Sequence, residues 1–173
     1  MKLAPEIVRY VLIGQGIVPA VINIVVNLLI GTLTFWGRDS VATWGMNQGA
    51  VADSIGTCFF LPFITALIVT PIVRHHLAQG TVNRIPASEV PWFFYWFEGS
   101  TLRRAAKFGI AGLMLLALPI YFAYIVFAED SIGTIRFIAI KAIFAGVLGL
   151  VITPVIAMVA MCDQSASSQP RRT

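Results

Sequence analysis

The sequence predicts an all-α integral membrane protein: a bundle of four transmembrane helices with a short interfacial aromatic helix in the loop between the second and third. Of its 173 residues, 58% are hydrophobic and 12% are charged, and the mean hydropathy is +0.84. Soluble domains carry about 25% charged residues. The apolar residues also gather in four runs of about 20 residues or more, the length at which a helix crosses a bilayer. Membrane solvent therefore explains the composition.

Four spans are predicted from these runs, and together they form one transmembrane domain over residues 1–162. None of the runs alternates strictly between apolar and polar residues, which favours helices over membrane strands. A polar stretch over residues 163–173 is expected to be a flexible cytoplasmic tail. The predicted spans cover approximately residues 10–35, 49–73, 106–127 and 135–161.

The distribution of basic residues predicts the orientation. Lys2 and Arg9 precede the first span, most of the other basic residues lie in the long loop between spans two and three, and Arg171 and Arg172 end the chain. Lys and Arg are retained on the cytoplasmic side of a membrane. Both termini are therefore expected in the cytoplasm of a multi-pass protein of the cell membrane, and the size favours a bacterial inner membrane. The net charge of +4 is not gathered on one basic face, so nucleic acid is not expected as a partner.

The long loop contains six consecutive aromatic residues, from Trp92 to Phe97. Ser88 is a suitable N-cap and Gly99 a suitable end, which predicts a short helix over about residues 88–98 lying in the membrane interface. Trp and Tyr prefer the headgroup level, so this segment is expected to anchor the third span, with a ligand platform as the alternative. The predicted anchoring residues are Trp92, Tyr95, Trp96, Arg103, Arg104 and Lys107.

Two segments of the chain resemble each other. Residues 67–73 read LIVTPIV in the second span, and residues 150–156 read LVITPVI in the fourth. This similarity suggests a duplicated two-helix hairpin whose halves are related by an axis along the membrane normal. Chance similarity is the alternative, because Pro and β-branched residues are common in membrane helices.

An acidic and a basic residue lie at comparable depths inside the predicted spans, Asp53 in the second and Lys141 in the fourth. Since a lone charge costs about 2.5–3.5 kcal/mol even by membrane-insertion scales, the two are predicted to pair. The pair either fixes helix register or binds and releases an ion or proton. The candidate substrate or ion pathway consists of Asp53, Lys141, Asn27, Asn23, Gln15 and Thr57.

No catalytic motif is present, so the protein is not expected to be an enzyme. Gly14-Gln15-Gly16 lacks the third glycine of a dinucleotide site, and the adjacent His75 and His76 lack further ligands at metal-binding spacing. A lipid-modifying enzyme would have only these histidines for support. No cofactor and no metal are expected.

Two functions remain open. The first is a small carrier or channel-like protein for a small solute or ion, whose pathway would form between protomers because four helices enclose little space. Stripes of small residues offer faces for such a homo-oligomer in the bilayer. The alternative is an accessory or assembly subunit of a larger membrane complex. The stripes run over residues 105–109, 142–146 and 145–149.

Overall fold

The computed structural model describes residues 5–45, 49–85, 91–127 and 129–162, and 80% of these are helical. The tail over residues 163–173 lies outside the described part of the chain. In chain order the elements are helix α1 (Pro5–Arg9), a π-helix (Tyr10–Ile17), α2 (Val18–Thr34), strand β1 (Ser40–Ala42), α3 (Ala50–Ala78), a 3-10 helix (Trp92–Phe97), α4 (Thr101–Phe127), strand β2 (Ser131–Gly133) and α5 (Thr134–Met161).

Four helices are long and apolar enough to cross a membrane, which confirms the predicted number. They are Ile7–Thr34, Ala50–Ala78, Thr101–Phe127 and Thr134–Met161. The helices that contain the second and third predicted spans continue by more than one turn past residue 73 and before residue 106. Arg74 explains part of this, since its guanidinium donates hydrogen bonds to Thr101 Oγ1 and to the Gly99 carbonyl, each at 3.1 Å. The length of an apolar run reflects the thickness of the membrane, whereas a helix can extend beyond the membrane where its polar side chains have hydrogen-bond partners.

The helices have two distinct ends. The strand end carries β1 and β2, and the loop end carries the connection over residues 79–100. Both α3 and α5 begin at the strand end, so they run in the same direction. Between the α-helices, α2 packs on α5, α5 packs on α3, and α3 packs on α4. Of the four spans α5 is therefore the most buried and α4 the least.

Glycines allow the helices to approach closely. A side chain at Gly112 of α4 would lie 2.8 Å from Pro62 of α3, and one at Gly109 would lie 2.8 Å from Phe59. On the other side, Gly146 and Gly149 of α5 receive α2. Small residues commonly serve this purpose in membrane helices. The small-residue stripes expected to join protomers are thus covered within the chain.

The strand end is closed by a two-stranded antiparallel clasp that the sequence analysis did not predict. Ser40 pairs with Gly133, and Ala42 pairs with Ser131. The backbone N–H of Thr43 donates to the Asp130 carbonyl at 2.9 Å. In return, the N–H of Thr134 donates to the carbonyl of Asp39 at 3.1 Å.

The clasp joins two similar sequences, DSVAT over residues 39–43 and DSIGT over residues 130–134. Their hydrogen bonds are reciprocal, and the helix pairs match in the same way: α2 packs on α5 as α4 packs on α3. The contacts are therefore equivalent when the pair α2–α3 is exchanged with the pair α4–α5. This equivalence agrees with the hypothesis of a duplicated hairpin. The spacing from the clasp sequence to the similar segment differs between the halves, at residues 67–73 and 150–156, because residues 43–49 separate β1 from α3 whereas β2 leads directly into α5.

The aromatic segment forms a 3-10 helix over Trp92–Phe97, within the predicted range 88–98, of which residues 88–90 lie outside the described part of the chain. The Phe97 ring stacks on Phe108 of α4 with centroids 4.1 Å apart, and Phe94 is buried. The segment is therefore held against the loop end of the helices by two of its rings. Its other aromatic side chains are exposed.

Candidate functional site

The predicted ion pair between Asp53 and Lys141 is present. The Lys141 ammonium nitrogen lies 2.7 Å from each oxygen of the Asp53 carboxylate. The Lys141 side chain is 5% exposed and the Asp53 side chain 22% exposed, so the cation is the more deeply buried partner. A buried charge pair of this kind is strongly destabilised when one partner is removed.

The two helices place these residues at matching depths. Asp53 lies in the first turn of α3, where the helix dipole favours a carboxylate. Lys141 lies about two turns into α5. Because α3 and α5 run in the same direction and pack together, the long lysine side chain reaches back toward the strand end to meet the shorter aspartate. Thr57 donates a hydrogen bond to the Asp53 backbone carbonyl at 3.0 Å, so it supports the helix rather than the carboxylate.

A cavity of about 320 Å³ lies beside the pair at the strand end. Its wall comes from the last turns of α4, from β2 and from the first half of α5, and Lys141 is part of this wall. Ser54 of α3 and Tyr124 of α4 also line it, with their hydroxyl oxygens 2.9 Å apart. This volume lies at the small end of the range for ligand sites in proteins.

The cavity combines apolar walls with a few polar groups. Phe137, Ile140 and Phe144 are among its apolar residues, and Glu129 and Arg136 add charges near the strand end. Small-molecule sites commonly have this character, because the apolar walls provide binding energy while the polar groups fix orientation. A ligand in the cavity would therefore come into contact with the lysine of the ion pair.

The other polar residues of the predicted pathway lie elsewhere. The Asn27 amide donates to the backbone carbonyl of Asn23 in its own helix at 2.9 Å. Asn23 itself packs on Gly149 at the contact between α2 and α5. The structure thus brings Asp53 and Lys141 together but gives both asparagines other partners.

Gln15 belongs to a separate cluster near the loop end. It is buried in the π-helix, and its side chain hydrogen-bonds Tyr10. The Tyr10 hydroxyl also lies 2.8 Å from Nδ1 of His76 at the end of α3. The sequence analysis did not connect Tyr10 with His76, since only the tertiary structure brings these residues together.

The basic residues predicted as membrane anchors divide into two groups. Arg103 is exposed, as an anchor would be. Arg104 differs from the expectation, because it is fully buried and its Nε donates to the Phe97 carbonyl at 3.1 Å. Lys107 donates to the carbonyls of Trp96 and Glu98. These two side chains hold the end of the aromatic 3-10 helix, where carbonyl groups lack helical partners.

The exposed aromatic residues of this segment remain candidates for membrane anchoring. Trp92 is 82% exposed, and Tyr95 and Trp96 are also exposed. Lys107 lies over the Trp96 ring at 5.6 Å, a distance suited to a cation–π contact. The segment is thus attached to the helices through the cations and through Phe94 and Phe97, while its tryptophans point away.

Among the described residues no group of three or more His, Cys, Asp or Glu side chains could hold a metal ion.

The next comparison is with known proteins. The chain matches no protein-family model, and no curated protein or solved structure is similar to it. The candidate site is the Asp53–Lys141 pair with the adjacent cavity, described from the geometry of this chain.

Proposed function

We propose that the protein is a small carrier for a solute or ion, and that the cavity at the strand end is its binding site. The observation that carries this proposal is the position of Lys141, which belongs both to the ion pair and to the cavity wall. A ligand that reaches the cavity can then influence the pair. A pair that only fixed helix register would have no need of an open cavity beside it.

The helix packing supports a way for the pair to take part in transport. The protein consists of two units, α2 with α5 and α3 with α4, which are packed more extensively within themselves than against each other. The units meet between α3 and α5, and the ion pair joins them there. Rocking of one helix bundle against another is a common transport movement. Such rocking would separate Asp53 from Lys141, and ligand binding to Lys141 would favour this separation.

Flux measurements on reconstituted protein test the carrier. Proteoliposomes are assayed for the movement of protons, sodium, chloride and the organic anion hexanesulfonate, each against protein-free vesicles. We expect at least one flux to exceed the protein-free rate and to be lost in Lys141→Met. Arg38→Gln, at the same end of the molecule but outside the cavity wall, serves as the matched control. Fluxes equal to those of protein-free vesicles for all four probes would overturn the proposal.

The location of the protein is part of the same proposal: a bacterial inner membrane with both termini in the cytoplasm. The basic residues near the loop end support this orientation. The test is labelling of intact cells with a membrane-impermeant maleimide, using Ser131→Cys at the strand end and Ser100→Cys at the loop end in a background without Cys162. We expect labelling at residue 131 only. Labelling at residue 100 instead would invert the orientation.

An accessory subunit is the alternative function, and the exposed tryptophans of the aromatic 3-10 helix favour it. The side chains of Arg104 and Lys107 hold the end of this helix in place, and Trp92 and Trp96 are exposed. A stoichiometric partner that co-purifies with the wild type but not with Trp92→Ala/Trp96→Ala, together with the absence of flux, would support this reading.

A homo-oligomer in the bilayer remains part of the proposal. Its interface would have to use faces other than the small-residue stripes, because those are covered. The outward face of α4 offers Met114, Leu115 and Leu118, all exposed. The molar mass of the detergent-solubilised protein, corrected for bound detergent, tests this, and a monomer at every concentration would contradict it.

A further inference from the structure

We infer that the cavity at the strand end binds a small amphiphilic anion, with the anionic group between Arg136 and Lys141 and the apolar body along Ile140 and Phe144. This inference rests on the proposed function of the cavity and names the chemical class of its ligand. It depends on three properties of the wall: its supply of hydrogen-bond donors, its apolar surface and its position between α4 and α5.

The wall is rich in donors that the protein itself does not use. Arg136 makes no hydrogen bond or ion pair with any described residue, although a guanidinium carries five N–H donors. Among the described residues the Lys141 ammonium group bonds only to Asp53, so at least one of its three N–H donors remains for a ligand. Glu129 is the one carboxylate among the described residues of the wall. A ligand that supplies several acceptor oxygens and a negative charge satisfies this arrangement best.

The start of α5 adds to the same preference. The N–H of its first residue, Thr134, donates to the Asp39 carbonyl, but its N-cap is Gly133, which has no side chain to accept from the next amides, and the first turn contains no acidic residue. The first N–H groups of a helix lack helical partners and carry a partial positive charge. Gly133, Arg136 and Phe137 all belong to the cavity wall, so this helix end faces the same space.

The remaining wall fits an apolar body of limited size. Ile120 of α4 and Ile140 and Phe144 of α5 form the deeper part, below Arg136 along the helix. At about 30 Å³ for a water-sized group, 320 Å³ holds roughly ten non-hydrogen atoms. The backbones of α4 and α5 approach each other less closely than those of α3 and α4 do, and the cavity lies between residues of α4 and α5.

Three probes of nearly equal size separate charge from shape: hexanesulfonate, neutral hexanesulfonamide and cationic hexyltrimethylammonium. Binding of each is measured on the full-length protein in phosphatidylcholine nanodiscs, with empty nanodiscs subtracted. We expect Arg136→Gln to weaken hexanesulfonate binding by about tenfold, the effect of one lost charge-assisted hydrogen bond. The other two probes should change by less than about twofold. Arg136→Lys should retain most of the affinity for the anion.

Arg38→Gln is the matched control, since it removes an arginine from the same end of the molecule but outside the cavity wall. Equal weakening of all three probes by Arg136→Gln, an equal effect of Arg38→Gln, or no binding of hexanesulfonate would overturn the inference. Thermal unfolding of each variant in detergent confirms that the comparison is made on folded protein.

The source of the anion is decided by repeating the titration in nanodiscs that contain phosphatidylglycerol. Loss of probe binding there identifies an anionic lipid headgroup as the occupant, and unchanged binding identifies a soluble amphiphile. Both results support the ligand class. Anion binding that depends on Arg136 but is not accompanied by flux would keep the ligand and remove the carrier. Flux of another ion without such binding would keep the carrier and remove the ligand.

Discussion

Removing one partner of the Asp53–Lys141 pair should destabilise the protein more than removing both. Asp53→Asn leaves an ammonium group that is only 5% exposed without its counter-ion. We expect a cost of about 3 kcal/mol, at the low end for a broken buried pair because the cavity gives Lys141 access to water. Lys141→Met leaves a carboxylate that is 22% exposed, so its cost should be smaller, about 1–2 kcal/mol.

The double variant Asp53→Asn/Lys141→Met contains no unpaired charge. Replacing a buried ion pair by uncharged side chains is often close to neutral, so its cost should lie below that of Asp53→Asn alone. If the double variant costs about 2 kcal/mol, the cycle gives a coupling energy of about 2–3 kcal/mol. Unfolding in mixed micelles of increasing dodecyl sulfate fraction, followed by far-ultraviolet circular dichroism, measures all four free energies of unfolding.

Arg136→Met is the matched control. It removes an exposed cation from the same helix and the same cavity wall, and this cation has no partner among the described residues. Its effect should stay within about 0.5 kcal/mol. The reasoning is refuted if the two single changes add to within about 0.5 kcal/mol, since independent residues behave in that way. A larger cost for Lys141→Met than for Asp53→Asn would refute the argument from burial.

Three further changes test the packing around the site, each by thermal unfolding in detergent. Gly112→Ala should cost about 1–3 kcal/mol because α4 must move away from α3. Its control, Gly56→Ala, has room for a methyl group and should cost almost nothing. Equal effects of the two changes would contradict the close approach of α4 to α3. Arg104→Met should cost about 2–3 kcal/mol and expose the aromatic 3-10 helix to protease, whereas the exposed neighbour change Arg103→Met should do neither. Thr43→Val removes a buried hydroxyl that donates to a carbonyl across the clasp and should cost about 1 kcal/mol, and a neutral result would refute a stabilising clasp.

The ion pair could be predicted from the sequence because a charge within an apolar run needs a partner. Asp53 is the one charged residue of the second run, and Lys141 lies at a comparable depth in the fourth, whereas Arg136 lies at the edge of that run. Asn23, Asn27 and Gln15 could not be placed in the same way. A neutral amide is satisfied by a backbone carbonyl or a neighbouring side chain of its own helix, as Asn27 is. Their polarity therefore indicates that they face protein rather than lipid, but not which helix they face.

Arg104 shows the same limit for the basic cluster. In sequence it resembles its neighbour Arg103, and both follow an aromatic segment. In the structure Arg104 turns inward to the Phe97 carbonyl, while Arg103 is exposed. The sequence could have revealed the clasp through the similarity of residues 39–43 and 130–134, but short similarities outside the apolar runs are weak signals on their own.

Four long apolar helices and a pair of complementary charges at matching depth were determined by the sequence itself. Hydrophobic length and the cost of a lone charge act on each segment separately, so they can be calculated without knowing its neighbours. The order in which the helices pack was decided only by the tertiary structure. Close approach at Gly112 and Gly146 depends on both surfaces at once, and it attaches α4 to α3 rather than to α5. The space left between α4 and α5 is the cavity, and for this reason no single segment could have predicted it.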